Sequence, residues 1–253
     1  MKSLMRAVGA MSENHTVLLL GGTGRTGGRV LEQLLERGVK VRAIVRSAER
    51  LPTGTATHAG LKVVEADVLS LSRNELLDQV SGCDAVISCL GHNSDLKGIF
   101  GPPHDLVAPV AERVCRVIAE LQPPTPVRFV LMSSVSVNRP NRLDTRRGVV
   151  ERAVVAVFRG LVPPARDHQE AADFLYSEIG QTDPFVRWVA VRPDSLLEGD
   201  VAEYALHEGL VSSLAKPHST NMANVAHFMC ELVTDSKAWD AWQGRLPVIV
   251  NTT

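Results

Sequence analysis

The chain has 253 residues, 45% of them hydrophobic, so it is long enough to bury one substantial core. Its 27 Lys and Arg residues nearly balance its 28 Asp and Glu residues, which excludes a whole-chain field that would attract nucleic acid or an anionic membrane. No apolar run approaches the roughly 20 residues that span a bilayer. We therefore expect a cytoplasmic protein whose four cysteines, which form no C-x-x-C pair, are buried thiols: Cys83, Cys89, Cys115 and Cys230.

Residues 1–14 precede the first strand pattern. Their apolar part is broken by Ser12, Glu13 and Asn14, and it is too short for a signal peptide. We expect these residues to form a flexible N-terminal extension.

From residue 15 to residue 253, short apolar segments alternate with helical patterns. The first crossover is predicted to be helical, because apolar residues share one face of residues 30–35 and Gly38 follows as a stop signal. Further helices are expected over residues 106–121 and 167–179. Buried strands joined by helices predict an α/β fold, a single domain with a Rossmann-type, doubly wound parallel sheet and substrate loops from its C-terminal half. The predicted strands are residues 16–20, 39–45, 61–65, 84–88, 127–132, 188–191 and 246–250.

A glycine-rich segment, GGTGRTG at residues 21–27, joins the first strand to the first helix. Glycine at the turn permits backbone angles closed to other residues, and the later glycines allow a diphosphate and the helix to approach closely. The helix N-terminus offers free N–H groups and a partial positive charge to phosphates. This context predicts dinucleotide binding by Gly21, Thr23, Gly24, Arg25, Thr26 and Gly27.

The end of the second strand bears on the choice of dinucleotide. A carboxylate there would accept from a ribose 2′-hydroxyl, whereas this strand ends in Arg46 and Ser47. Arg46 and Arg25 together favour NADP(H) over NAD(H), because guanidinium groups bind a 2′-phosphate; alternatively, Arg46 is a solvated charge at the strand end. After the third strand, Asp67 and its neighbour Val68 are predicted to lie beside the adenine, with a helix N-cap or loop acid as the other interpretation of Asp67.

These features resemble the atypical short-chain dehydrogenase/reductase group, in particular the NmrA-like proteins and the flavin reductase/biliverdin-IXβ reductase branch. The resemblance implies that Leu90 and Gly91 line the diphosphate or ribose side of the cofactor. It also implies that the turn of Arg192 and Pro193 approaches the nicotinamide, and that Ser134 lies over the nicotinamide ring. Besides the glycine segment, it rests on residues 45–46, 66–68, 88–91, 129–134, 167–168, 191–193 and 224–226.

The chain departs from ordinary short-chain reductases, because their Tyr-x-x-x-Lys pair is absent after Ser134. Pro164 stands where the tyrosine would fall, and His168 takes the place of the lysine. We expect Ser134 to act as a hydroxyl donor and His168 as a ribose-binding group or proton donor. Ser133 is also a predicted cofactor contact. In the alternative interpretation, Ser133 and Ser134 cap a turn. His168 then only begins a helix whose N-cap is Asp167.

The expected function is that of an NADP(H)-dependent oxidoreductase that transfers hydride between the nicotinamide and a small conjugated acceptor, of flavin, quinone or carbonyl type. The alternatives are a non-catalytic NADP(H) sensor of the NmrA type and a redox-neutral epimerase or dehydratase. The eight histidines are dispersed, which predicts no metal site. A small-molecule substrate is the expected partner of a monomer or homodimer.

Overall fold

An eight-stranded sheet forms the centre of the protein in the computed structural model, which describes residues 15–91, 105–139, 148–213 and 216–252. The predicted extension of residues 1–14 lies outside the described residues. The strands are β1 (Thr16–Leu20), β2 (Lys40–Val45), β3 (Leu61–Glu65), β4 (Ala85–Ser88), β5 (Val127–Met132), β6 (Val186–Pro193), β7 (Ser195–Leu197), β8 (Tyr204–His207), β9 (Ser219–Asn221) and β10 (Val248–Asn251).

Helices fill the crossovers between these strands. A 3-10 turn at Ala48–Arg50 and a π-helical turn at Leu175–Ile179 add to them. The helices are α1 (Arg25–Glu36), α2 (Arg73–Val80), α3 (Val107–Leu121), α4 (Val149–Leu161), α5 (Pro163–Phe174), α6 (Met222–Thr234) and α7 (Ser236–Trp242).

The strand order is β3-β2-β1-β4-β5-β6-β10-β8, and every pair is parallel except β10 with β8. The predicted single-domain Rossmann fold is confirmed, with an antiparallel edge strand that the sequence did not predict. Strands β7 and β9 form a separate small parallel sheet. The order reverses between β1 and β4, and ligands of such sheets bind at the carboxyl ends of the strands beside this point.

Side chains alternate between the two faces of the sheet, and each face has its own core. In β1, Leu18 and Leu20 face the layer of α2, α3 and α5, whereas Val17 and Leu19 face the layer of α1, α6 and α7. Burial on both faces explains why the strands read as continuous apolar segments. Among the described residues, no helix is long and apolar enough to cross a membrane.

All four cysteines are free and buried, which confirms that prediction. Burial raises the pKa of the Cys83 thiol to about 11 and that of Cys230 to about 12. Within the described ranges, no three metal-ligating side chains come together.

The sequence prediction for the helix at residues 167–179 is wrong at its start. The helix begins at Pro163, because the first helical positions need no N–H group and accept proline. Asp167 is therefore not the N-cap of its own helix. Its carboxylate is 0% exposed and caps α3 instead: Oδ2 accepts from the N–H groups of Leu106 (2.8 Å) and Val107 (2.7 Å), and Oδ1 accepts from that of Ala108 (2.8 Å).

We expect Asp167→Ala to lower the free energy of unfolding by about 3 kcal/mol, because three N–H groups at the start of α3 lose a charged acceptor inside the protein. Urea unfolding at neutral pH measures the change. Glu170→Ala is the matched control: this carboxylate lies on the same helix but pairs with Arg166 at the surface, and its loss should cost less than about 0.5 kcal/mol. Equal free energies of unfolding for the two variants would contradict the role of Asp167 as the cap of α3.

Candidate functional site

Three of the four glycines of the 21–27 segment, Gly21, Gly24 and Gly27, come together in one tight turn. Gly21 has φ +80°, a conformation that side chains rarely adopt, and its carbonyl accepts from the N–H of Gly24 (2.9 Å). A Cβ on Gly27 would lie 2.0 Å from that same carbonyl oxygen. The turn and the helix therefore touch through backbone alone.

The first turn of α1 is open to an anion. Gly24 is its N-cap and offers no side-chain hydrogen bond, and no acidic residue lies in the first turn. The N–H groups there consequently keep their partial positive charge for a ligand. Thr26 is buried beside them, Thr23 is half-buried, and Arg25 is exposed.

Two arginines lie at this end of the sheet, one at the start of α1 and one directly after β2. The side chains of Arg25, at the start of α1, and Arg46, directly after β2, are exposed and form no hydrogen bond or ion pair within the described residues. Arg29, one turn further along α1, instead pairs with Glu198. After Arg46 and the half-buried Ser47, the chain is fixed by Glu65, which accepts from the N–H of Ala48 (3.0 Å). Two guanidinium groups thus remain available beside the glycine turn.

The loop after β3 is fixed by its own contacts. Asp67 is exposed, and its Oδ1 accepts from the N–H of Leu69 (2.9 Å), which is the loop role given above as the alternative to an adenine contact. Val68 is buried, and the Arg113 guanidinium donates to its carbonyl (3.0 Å). Asp67 Oδ2 accepts no hydrogen bond from the described residues, so the adenine contact stays a prediction.

The loop after β4 lies directly against the glycine turn. A Cβ on Gly21 would lie 2.7 Å from the carbonyl oxygen of Cys89 and 3.1 Å from the nitrogen of Leu90. Gly91 is exposed, and a Cβ there would lie 3.9 Å from Nε2 of His168. The structure therefore brings the glycine turn, Leu90, Gly91 and His168 together at one edge of the sheet. Burial raises the pKa of the Cys89 thiol, so no thiolate adds negative charge here.

His168 lies on α5 between two residues that fix neighbouring loops. Asp167 holds the start of α3, as described above. On the other side, Gln169 donates through Nε2 to the carbonyl of Asn138 (3.2 Å) and accepts through Oε1 from the N–H of Asn138 (2.9 Å). Sequence reasoning did not identify Gln169. A helical position supported in this way holds an imidazole more precisely than a loop would.

Two adjacent serines follow β5, and their hydroxyl groups differ. Ser134 Oγ donates to Ser136 Oγ (3.1 Å) and accepts from the N–H of Ser136 (3.1 Å), so it stabilises the local turn. Ser133 is 4% exposed, and its Oγ has no hydrogen-bond partner among the described residues. A buried hydroxyl without a partner is rare in proteins, and a bound ligand would satisfy it. The residues present thus fit a dinucleotide. Within the described residues, the hydroxyl that is left to bind it is that of Ser133, because the Ser134 hydroxyl is hydrogen-bonded to Ser136.

Arg192 has a structural role at the end of β6. Its side chain is 0% exposed and donates to three carbonyls, those of Leu246 (3.0 Å), Val137 (3.0 Å) and Glu208 (3.2 Å). The guanidinium is therefore committed to joining three segments. The sequence predicted that the turn of Arg192 and Pro193 approaches the nicotinamide. That contact stays a prediction, and it would involve the backbone of Arg192 and the buried Pro193.

We expect Gly27→Ala to weaken NADPH binding at least about tenfold and to destabilise the protein by about 2 kcal/mol, because the new methyl group collides with the Gly21 carbonyl. Nicotinamide fluorescence and urea unfolding measure the two effects. Gly148→Ala is the control, since a Cβ there meets nothing within 4 Å. Undiminished NADPH binding by Gly27→Ala would refute the assignment of this turn.

Comparison with known proteins identifies the family. A family model described as NAD(P)H-binding matches residues 21–236, which is most of the chain. An uncharacterised chloroplastic protein of Arabidopsis thaliana is 34% identical over 127 residues, a match that covers 48% of this chain and 42% of that protein. The match thus spans less than half the length of this relative. Because the relative is named as chloroplastic, the cytoplasmic location expected from the sequence stays a prediction.

Solved structures share the fold at low sequence identity. A candidate NADH-flavin reductase from Streptococcus pneumoniae TIGR4 superposes with TM-score 0.65 at 16% identity, covering 94% of this chain and 100% of that one. A wide-type short-chain dehydrogenase/reductase from Veillonella parvula DSM 2008, solved in complex with NADP, gives TM-score 0.67 at 12% identity, with 94% and 95% covered. These structures share the fold of the chain, and the family match over residues 21–236 shows that it belongs to the NAD(P)H-binding family.

Proposed function

We propose that this protein is an NADP(H)-dependent oxidoreductase that reduces a small conjugated acceptor. The observation that carries the proposal is the open first turn of α1 near Arg25 and Arg46, whose guanidinium groups form no hydrogen bond or ion pair within the described residues. A helix N-terminus suits the diphosphate, and paired guanidiniums suit a 2′-phosphate. The NADP bound by the Veillonella protein and the name of the Streptococcus protein are consistent with this cofactor and reaction class.

The residues divide between binding and chemistry. The N–H groups of residues 25–27 bind the diphosphate, and Leu90 and Gly91 form the wall beside it. His168 faces Gly91 and binds the ribose or holds a proton at Nε2. The Ser133 hydroxyl, buried and unpartnered within the described residues, donates a hydrogen bond to the nicotinamide or the acceptor.

Proton supply limits the class of acceptor. When bound, the nicotinamide supplies a hydride, so that NADPH, acceptor and one proton give NADP⁺ and reduced acceptor. Pro164 and His168 replace the tyrosine and lysine that would deliver this proton in ordinary carbonyl reductases. A flavin or quinone needs mainly proximity and a proton from water or a weak acid, so the missing tyrosine does not prevent its reduction.

A non-catalytic NADP(H) sensor of the NmrA type is the second candidate. The observation in its favour is Ser134, whose hydroxyl is committed to the turn at Ser136. In this case the protein binds the cofactor but does not oxidise it.

We expect the double variant Arg25→Ala/Arg46→Ala to raise the Kd for NADPH by about 30-fold or more, with NADH affinity changed less than about twofold, because only NADPH carries the 2′-phosphate. Titrations followed by nicotinamide fluorescence measure both values. Arg29→Ala is the matched control, since it removes an arginine of the same helix that is already paired with Glu198. Equal loss of NADPH and NADH affinity would contradict the 2′-phosphate assignment.

Turnover distinguishes the two functions. The wild-type protein is incubated with NADPH and, in turn, FMN, menadione and an aldehyde, and absorbance of the reduced cofactor is followed. Oxidation with FMN or menadione supports the reductase. Tight NADPH binding without oxidation by any acceptor supports the sensor.

A further inference from the structure

An open pocket of about 370 Å³ lies on the face of β8 and β10 that points away from α6. Its lining combines three apolar side chains, those of Ala205, Val211 and Val250, with four polar residues: His207, His218, Asn251 and Thr252. Its size is in the range of small-molecule sites. None of the candidate cofactor contacts lines it.

The apolar lining of the pocket is continuous with the loop of Ser133, whose hydroxyl has no hydrogen-bond partner among the described residues. Val250 is 4% exposed and belongs to a small apolar cluster with Leu210 and Val248. Val135 packs against the same cluster, and it lies two residues after Ser133. The pocket therefore adjoins the carboxyl end of β5.

Hydrogen bonds fix the pocket to the end of β6 as well. The backbone N–H of His218 donates to Oδ2 of Asp194 (3.1 Å), the residue that directly follows β6. The Arg192 guanidinium joins the carbonyl of Val137, after β5, to that of Glu208, after β8. These contacts hold the lining of the pocket to the loops that follow β5 and β6, at the carboxyl edge of the sheet.

The lining selects an uncharged ring with hydrogen-bond acceptors. Neither the His207 ring nor the His218 ring forms a hydrogen bond within the described residues, so each can donate one to a ligand. The amide of Asn251 is already engaged, since its Oδ1 accepts from Asn221 and Asn224. No lysine or arginine belongs to the described lining, which disfavours a ligand with a phosphate, such as FMN. Carbonyl oxygens on an apolar ring match this lining, which offers the imidazoles and the Thr252 hydroxyl as hydrogen-bond donors beside three apolar side chains.

We propose that this pocket binds the hydride acceptor and that the acceptor is a quinone, held by its carbonyl oxygens between His207 and His218. The inference rests on the proposed reductase function. The quinone gains the hydride and one proton from water, and it leaves as the hydroquinone, while NADPH becomes NADP⁺.

Menadione is the probe for this site. We expect Val211→Trp, which fills the pocket, to raise the KM for menadione at least about tenfold, and His207→Phe to raise it about threefold or more, with the Kd for NADPH changed less than about twofold. Val201→Trp is the control, because Val201 is 48% exposed and lies outside the pocket. NADPH oxidation and fluorescence titration give the two constants.

A binding measurement separates failure of this inference from failure of the reductase function. Imidazole resonances of the cofactor-free protein are followed by ¹H–¹⁵N NMR as menadione is added. Shifts of His207 and His218 that Val211→Trp abolishes support the site even if no NADPH is oxidised, in which case the reductase function is what fails. Turnover of menadione with an unchanged KM in both variants, or the absence of both shifts, overturns the assignment of the pocket.

Discussion

The site is built around a place where three backbone segments meet without room for a side chain. The end of β1, the start of α1 and the loop after β4 are so close that a Cβ on Gly27 would lie 2.0 Å from the Gly21 carbonyl, and one on Gly21 would lie 2.7 Å from that of Cys89. This close approach aims the open helix N-terminus at the crevice and sets Leu90 and Gly91 beside it. Any cofactor contact at this edge depends on that constraint.

A second layer of contacts holds the remaining loops around the same edge. Three consecutive residues of α5 have different partners, since Asp167 caps α3, His168 faces Gly91, and Gln169 fixes the loop after β5. On the far side, Arg192 joins segments after β5 and β8 to the approach of β10. Buried charges are retained where several hydrogen bonds satisfy them, and both Asp167 and Arg192 meet this condition. Both act by positioning loops.

The sequence predicted the strands, the first helix and the glycine turn well, because each depends on local patterns of burial and backbone conformation. It placed β1, β3 and β5 at their observed bounds and did not predict β7, β8 and β9, which are short and lack the buried apolar run that marks β4 and β10. The role of Asp167 was assigned to the wrong helix. Its partners at residues 106–108 lie about 60 positions earlier in the chain, and no spacing rule connects them.

The sequence by itself determined the α/β fold, the dinucleotide turn and the two arginines beside it, because hydrophobic period, glycine conformation and charge at a strand end are properties of neighbouring residues. Only the tertiary structure decided which serine hydroxyl lacks a partner among the described residues, that Arg192 is buried among carbonyls, and that His207 and His218 share a pocket. These facts arise where segments distant in sequence pack together, and side-chain partners are chosen there by geometry that local patterns do not encode.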